Sequence, residues 1–303
     1  MLIVPSDAPA TDAQVAALGG GHGLAVVLRA AREYAAGITA IVSVADDGGS
    51  SGRLRRDLGV PAPGDLRKTL IALASDEGPW PAAFEHRFDT GELAGHALGN
   101  LLIVGLAESL GDLNSALSEA GRLLGIQGRV VPATTDAVTL KADIGGEAVL
   151  GQVAVESKAG GASVNRVSIV PADAPATPEA LEAIAHANQV VLAPGSLYTS
   201  VLAVLCVPEI CAAVAATPGR VIHVANLRAD EDTAGLSGTD QLRALLDHGV
   251  RVDVLLHDPQ HGLPVSENQV RELGIVPVSA AIAAETGHAH DPRRLAAALA
   301  ALL

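Results

Sequence analysis

Two carboxylates, a glycine and serine stretch and a guanidinium stand together at residues 45–53, Ala-Asp-Asp-Gly-Gly-Ser-Ser-Gly-Arg. Asp46 and Asp47 can accept hydrogen bonds from hydroxyl groups or ligate a divalent ion. Gly48, Gly49 and Gly52 let the chain curl until consecutive amide N–H groups form a nest for an anion. Ser50 and Ser51 add hydroxyl donors, and Arg53 adds a forked cation suited to phosphate oxygens. The set fits a ligand with a phosphate and a hydroxylated part. Successive residues of an extended strand face opposite sides, so the two acids need not act together. One is expected to meet a ribose hydroxyl or a metal, the other to cap a turn.

Three further segments carry related chemistry. Gly19-Gly20-Gly21-His22-Gly23 offers backbone N–H groups at the start of a helix, where an anion is favoured. It is not a dinucleotide fingerprint, because Leu24 stands where the last glycine of G-x-G-x-x-G would fall, and it is not a P-loop. His22 caps the helix, contacts a ligand or packs. Pro194-Gly195-Ser196-Leu197-Tyr198-Thr199-Ser200 again follows an apolar run; Ser196 and Thr199 serve as N-caps or as ligand donors. A fourth segment carries Asn226 and the acidic stretch 230–235, which includes Thr233. Of the 20 basic residues, five (Arg53, Arg55, Arg56, Arg67 and Lys68) fall within sixteen positions after the acid-glycine-serine loop. Arg53 and Arg67 adjoin loop signals and are expected to pair with phosphate oxygens, whereas Arg55 and Arg56 suit a solvated helix face equally well. Asn100, an amide within an apolar run, is expected to have a defined partner, in the core or on a ligand. The histidines at 257–261 and 288–290 lack zinc spacing and read as surface loops.

The elements that must position these groups follow from hydrophobic pattern. Residues 15–18 and 38–45 read as strands flanking a helix at 24–34, a βαβ unit with a glycine loop at its first strand end. Pro61, Pro63 and Gly64 make a turn with Asp65 as the N-cap of a helix over 66–75. Helices are expected at 97–110 and 113–124. From 128 to 170 the pattern changes to short Val/Thr/Ile runs at 129–132, 137–144, 153–157 and 164–170, divided by glycine and Asn/Asp turns. These read as a small antiparallel β insert. After Pro178 the alternation of helix and strand resumes, with strands at 190–193, 221–225 and 252–256, a helix at 239–248 and a closing helix from Pro292. The fold class is α/β, built on a mainly parallel sheet; residues 1–14 form a flexible leader and 15–303 a single α/β domain. In such a sheet ligands bind beyond the carboxyl ends of the strands at the switch in strand order, so all four segments should line one crevice.

Composition bounds the partners. Half the 303 residues are hydrophobic, aromatic residues are only 2%, and the formal charge is -14. Aliphatic packing must therefore carry the core, and the field repels nucleic acid and anionic membrane surfaces except at the local basic cluster. No apolar run is long enough to span a bilayer, and no basic-then-apolar start marks an export signal. Cys206 and Cys211 stand five apart in a helical segment and point apart, so no mutual disulfide is expected and a reducing cytoplasm fits.

Together the segments resemble the CofD/YvcK family over most of the chain: GGGHGL (19–24), ADDGGSSGRLR (45–55), PGDLRK (63–68), GHALGNLL (95–102), PGSLYTSV (194–201) and DTAGLSGTDQL (232–242). The resemblance implies a Rossmann-like three-layer α/β/α fold whose loops form a nucleotide-type site. One branch holds phospho-L-lactate transferases that use a divalent metal, which Asp46 or Asp47 would hold. The other holds YvcK-type gluconeogenesis factors, required for cell shape and binding UDP-activated sugars without established catalysis. The stretch ITAIVSVADDGGSSGRLRRDLGVPAPGDLRKTLIALAS is similar to the second branch. That branch implies a cytoplasmic homo-oligomer that binds a UDP-sugar and regulatory protein partners and needs no cofactor. Two features depart from the family pattern: His22 replaces a hydroxyl residue, and residues 228–233 replace a Gly-Glu-Thr sequence.

Overall fold

The computed structural model describes residues 11–74, 78–159 and 164–303. The first unit runs β1 (Gln14–Gly19), α1 (Gly21–Ala31) and β2 (Gly37–Val42), and two helices follow, α2 (Gly49–Leu58) and α3 (Gly64–Leu73). Next come α4 (Trp80–Glu85), α5 (Leu98–Leu110), α6 (Leu113–Leu124) and β3 (Arg129–Pro132). An excursion of β4 (Thr139–Ile144), β5 (Glu147–Leu150), α7 (Gln152–Ala159) and β6 (Val164–Val170) leads back to α8 (Pro178–His186) and β7 (Gln189–Leu192). A π-helical turn, Leu197–Val201, runs into α9 (Leu202–Leu205), followed by α10 (Pro208–Ala216), β8 (Arg220–Val224) and a short 3-10 turn, Glu231–Thr233. The chain closes with α11 (Gly238–Asp247), β9 (Val254–His257), α12 (Glu267–Glu272), β10 (Val276–Ser279) and α13 (Pro292–Ala300).

Seven strands form one parallel sheet in the order β10-β9-β8-β7-β1-β2-β3. Consecutive residues of β1, β7 and β9 are buried, so both faces of the sheet are covered. That is why these strands read as unbroken apolar runs rather than alternating ones. Helix α1 packs beside α3 and α13, and α8 beside α10. The α/β layout with a small separate antiparallel sheet, β5-β4-β6, is the one the sequence predicts. Strand β4 alternates buried and exposed residues because one of its faces meets solvent.

Three expectations change. Residues 129–132, expected in the insert, pair with β2 as the edge strand of the main sheet. Residues 153–157, expected as a strand, lie inside α7, whose Gln, Ala, Glu and Lys residues favour helix once its start is held from outside. Asp65, expected as an N-cap, sits in the first turn of α3, whose cap position is Pro63. Of the expected leader, residues 1–10 lie outside the described residues, and Thr11 hydrogen-bonds the Tyr34 carbonyl at 2.7 Å through its amide. Among the described residues no single helix is long and apolar enough to cross a membrane. The two cysteines are free.

Candidate functional site

Strand order reverses between β1 and β7, the place where an open parallel sheet offers a crevice at its carboxyl edge. The loops leaving these two strands touch there. A Cβ on Gly23 would stand 1.7 Å from the Pro194 carbonyl oxygen, so only glycine lets the start of α1 lie against the β7 loop. A cavity of about 340 Å³ opens beside this contact. Its floor is Gly20, Gly21, His22 and Gly23, with Gly195, Ser196 and Ser200 of the β7 loop adjoining. Asp65 and Lys68 of α3, Gln152 and Glu156 of α7, and Asp230 close the other sides.

Asp65 and Lys68 form an ion pair at 2.9 Å, with the carboxylate buried and the ammonium half-exposed. The other Asp65 oxygen presses on Gly20, where a Cβ would lie 2.6 Å away. Lys68 is the cation lining the cavity, and the amides at the start of α1 add partial positive charge. One side of the cavity thus suits an anion.

The two acids after β2 diverge. Asp46 accepts a hydrogen bond from the Gly48 amide at 2.9 Å, and its second oxygen lies against Gly64 and Ser51, where α3 begins. Burial, then the nearby Asp65 charge, raises the Asp46 pKa above the usual carboxylate value. Asp47 turns to the insert, accepting the Val153 amide at 3.0 Å and so holding the first turn of α7. Of the expectation that one acid caps a turn while the other meets ligand or metal, the structure describes local bonds for both acids, and neither lines the cavity. Asp46 and Asp47 thus bond different backbone amides, and among the described residues no three His, Cys, Asp or Glu side chains form a set that could hold a metal ion.

Gly48 and Gly49 lead into α2, which places Ser50 and Ser51 in the interior. Ser50 Oγ lies 3.1 Å from His96 Nδ1 and accepts from Asn100 Nδ2 at 3.1 Å. Asn100 in turn accepts from Arg67 Nε at 3.1 Å, and Arg67 Nη1 donates to the Phe84 carbonyl at 3.2 Å. Arg67 is only 7% exposed, and burial followed by the repulsion of Arg87 lowers its pKa. Its guanidinium therefore joins α3, α4 and α5 into one polar network. Arg53 donates to the Ala94 carbonyl at 2.7 Å, and Arg55 to Thr139 Oγ1 on the insert at 2.6 Å. Neither Arg53 nor Arg67 lines the cavity; Arg56 is exposed.

The β7 loop is fixed from behind. Asn226 donates to the Gly195 carbonyl at 2.8 Å and accepts from the Gly195 amide through Oδ1. Asp232 accepts the Tyr198 amide at 3.1 Å at the start of the π-helical turn. Its Oδ1 is buried without a partner, and burial raises its pKa to about 6. Thr233 and Asp230 complete a reciprocal cap, and Ser196 Oγ donates to Asp230 at 3.2 Å. Thr199 is fully buried and donates to Glu156 Oε1 at 3.0 Å. Tyr198 packs edge-on toward His248 in the interior. Of the expected residues, Gly20, Gly21, His22, Gly23, Asp65, Gly195 and Ser196 line the cavity, whereas Asp46, Asp47, Gly48, Gly49, Ser50, Ser51, Arg53, Arg67, Asn100, Tyr198, Thr199, Asn226 and Thr233 do not. Sequence reasoning missed Gln152 and Glu156, held Ser200 and Asp230 only as members of crevice-lining segments, and weighted Lys68 only as part of a basic run. The spacing of Lys68 three residues after Asp65 was the available signal, since it sets both side chains on one face of a helix.

Residues 15–284 match the family model described as 2-phospho-L-lactate transferase CofD. A relative from Mycobacterium leprae, provisionally named a gluconeogenesis factor, is 44% identical over 96% of this chain and 86% of its own length. The gluconeogenesis factor of Halalkalibacterium halodurans is 41% identical over 84% of this chain and 79% of its own. The crystal structure of a UPF0052-family protein from Bacillus halodurans superposes with a TM-score of 0.90 at 36% identity, covering 96% of this chain and 99% of that one. A family match across nearly the whole chain, together with relatives that share its length, means that this chain belongs to the CofD family, alongside relatives named gluconeogenesis factors.

Proposed function

We propose that this chain binds a nucleotide sugar of the UDP-N-acetylglucosamine type in the switch-point cavity and acts as a cytoplasmic regulator linking carbon supply to envelope synthesis, through contacts with partner proteins. The observation that carries the reading is the two-sided cavity. The glycine amides and Lys68, which is paired with Asp65, form one part of the lining, and the carboxylates of Glu156 and Asp230 belong to another. Amides and an ammonium suit a diphosphate, while carboxylates accept from sugar or ribose hydroxyls. A cavity of about 340 Å³ falls within the range of small-molecule sites. The names of the relatives support the link to carbon metabolism.

The description of the family model favours a second reading, a metal-dependent transferase of a phosphorus-containing group. In that reading Asp46 or Asp47 would hold the metal; Asp47 already accepts the Val153 amide at the start of α7, which leaves Asp46 as the better placed of the two. Titration calorimetry separates the readings. UDP-N-acetylglucosamine should release heat on binding, with affinity unchanged when divalent ions are chelated. Absence of heat with every UDP-sugar, together with binding of a deazaflavin precursor or metal-dependent turnover of a nucleotide donor, would replace the first reading with the second.

A further inference from the structure

Helix α7 does not belong to the seven-strand sheet, yet it supplies one wall of the cavity. It is carried by the β4-β5-β6 excursion and reaches the site because its start is held and its middle is buried. Asp47 takes the Val153 amide at its start, and Val155 is fully buried beneath it. Gln152 and Glu156, one helical turn apart, face the cavity together. Gln152 Nε2 and Thr199 Oγ1 both donate to Glu156 Oε1, each at 3.0 Å. These two bonds fix the carboxylate and leave Oε2 for a ligand.

A fixed carboxylate in this position has a chemical consequence. It repels phosphate and attracts hydroxyl or amide donors, and it faces a cavity whose other side favours phosphate. Given the nucleotide-sugar reading above, on which this inference rests, the ligand has only one favourable orientation: diphosphate toward Lys68 and the glycine amides, sugar toward α7. We infer that Glu156, positioned by Gln152 and Thr199, is the residue by which the site distinguishes a sugar nucleotide from the bare nucleoside diphosphate. A site built to bond a hydroxyl discriminates strongly against the analogue that lacks it, because its own polar group is then left unpaired. The excursion that departs from the parallel fold is thus the part that sets ligand choice.

The test titrates UDP and UDP-N-acetylglucosamine, in parallel, into the wild-type chain and into Glu156→Ala, Glu156→Gln and Gln152→Ala. Glu156→Ala should weaken the sugar nucleotide about tenfold or more, the loss expected for a hydrogen bond to a charged group. UDP should change less than about threefold or bind more tightly, since a repelling charge has gone. Glu156→Gln, which keeps the shape and loses the charge, should fall between, and Gln152→Ala should shift the ratio in the same direction. If Glu156→Ala does not fold, the Gln variant with its retained volume decides the matter by the same ratio. Equal loss for both ligands, or no change in either, overturns the inference and assigns Glu156 a purely structural bond to Thr199. A wild-type chain that binds neither ligand overturns the nucleotide-sugar reading itself, and the inference with it.

Discussion

Replacing Arg67 by alanine separates the phosphate-pairing role expected from its sequence context from the helix-joining role that its hydrogen bonds describe. A guanidinium that meets phosphate would cost affinity and spare the fold; one that joins three helices would do the reverse. The structure supports a definite magnitude. The change orphans two acceptors, Asn100 Oδ1 and the Phe84 carbonyl, at a residue only 7% exposed. Each buried acceptor left unpaired costs about 1–3 kcal/mol. The alkyl stem is also lost from its packing on Gly99, where Arg67 Cδ lies 2.9 Å from the position of an added Cβ. Against these losses, removing a charge whose burial is unfavourable returns part of the energy. The net expectation is a destabilisation of about 2–4 kcal/mol. Urea unfolding followed by circular dichroism measures it, and Arg67→Lys, which keeps charge without the fork, should lie between. The binding constant for UDP-N-acetylglucosamine, corrected for folded fraction, should move by less than about threefold, or roughly 0.7 kcal/mol. A variant with stability within about 0.5 kcal/mol of wild type but markedly weakened binding would refute the reasoning and turn Arg67 toward the ligand.

Asp232 has a folded pKa of about 6, raised chiefly by burial. It stays protonated in the folded state where the unfolded chain has ionised, so its contribution is full below about pH 4 and lost as pH rises through about 6, a change of up to about 3 kcal/mol. Asp232→Asn should flatten the stability profile over that window, as thermal melts at successive pH values would show; an unchanged profile would count against it. Gly23→Ala should destabilise by about 3 kcal/mol or more, because its Cβ would collide with the Pro194 carbonyl. Gly105→Ala in α5, with open space around the added Cβ, should stabilise by about 0.5–1 kcal/mol, and the same unfolding assay serves both. Asp47→Ala removes the acceptor for the Val153 amide and should cost about 1 kcal/mol, with protease cleavage of the insert accelerated.

Loops that end strands were legible because glycine, acid and hydroxyl clusters after apolar runs have few other uses. The parallel sheet was legible for a similar reason, since strands buried on both faces lose their alternation. Less was legible wherever a distant partner decides. Residues 153–157 alternate Val-Ala-Val-Glu-Ser and so suggest a strand, but their helix is started by Asp47, 106 positions earlier. Residues 129–132 carry no local sign that they pair with β2 rather than with the hairpin that follows. Arg67 is one turn from Gly64 and reads as a phosphate-pairing cation beside a glycine turn; only its bonds to Asn100 of α5 and the Phe84 carbonyl of α4 show it turned inward. Glu156 offered no signal at all, being an ordinary acid in a short segment whose relation to the β7 loop is set by the tertiary fold.

The strand order has a consequence at the sheet's two ends. Both edge strands are short, and each contains a proline, Pro132 in β3 and Pro277 in β10; the five strands between them contain none. The amides of Ala133, Val276 and Ala280 point inward to the neighbouring strands. Because successive amides alternate in direction, the nitrogens of Pro132 and Pro277 face outward, where another strand would need a donor. Each proline leaves the internal ladder whole and removes a hydrogen bond only from an incoming chain. This blunts both edges against templated growth, the usual hazard of an open sheet. Each edge is thereby disfavoured as a place for the seven-strand sheet to extend from one molecule into the next.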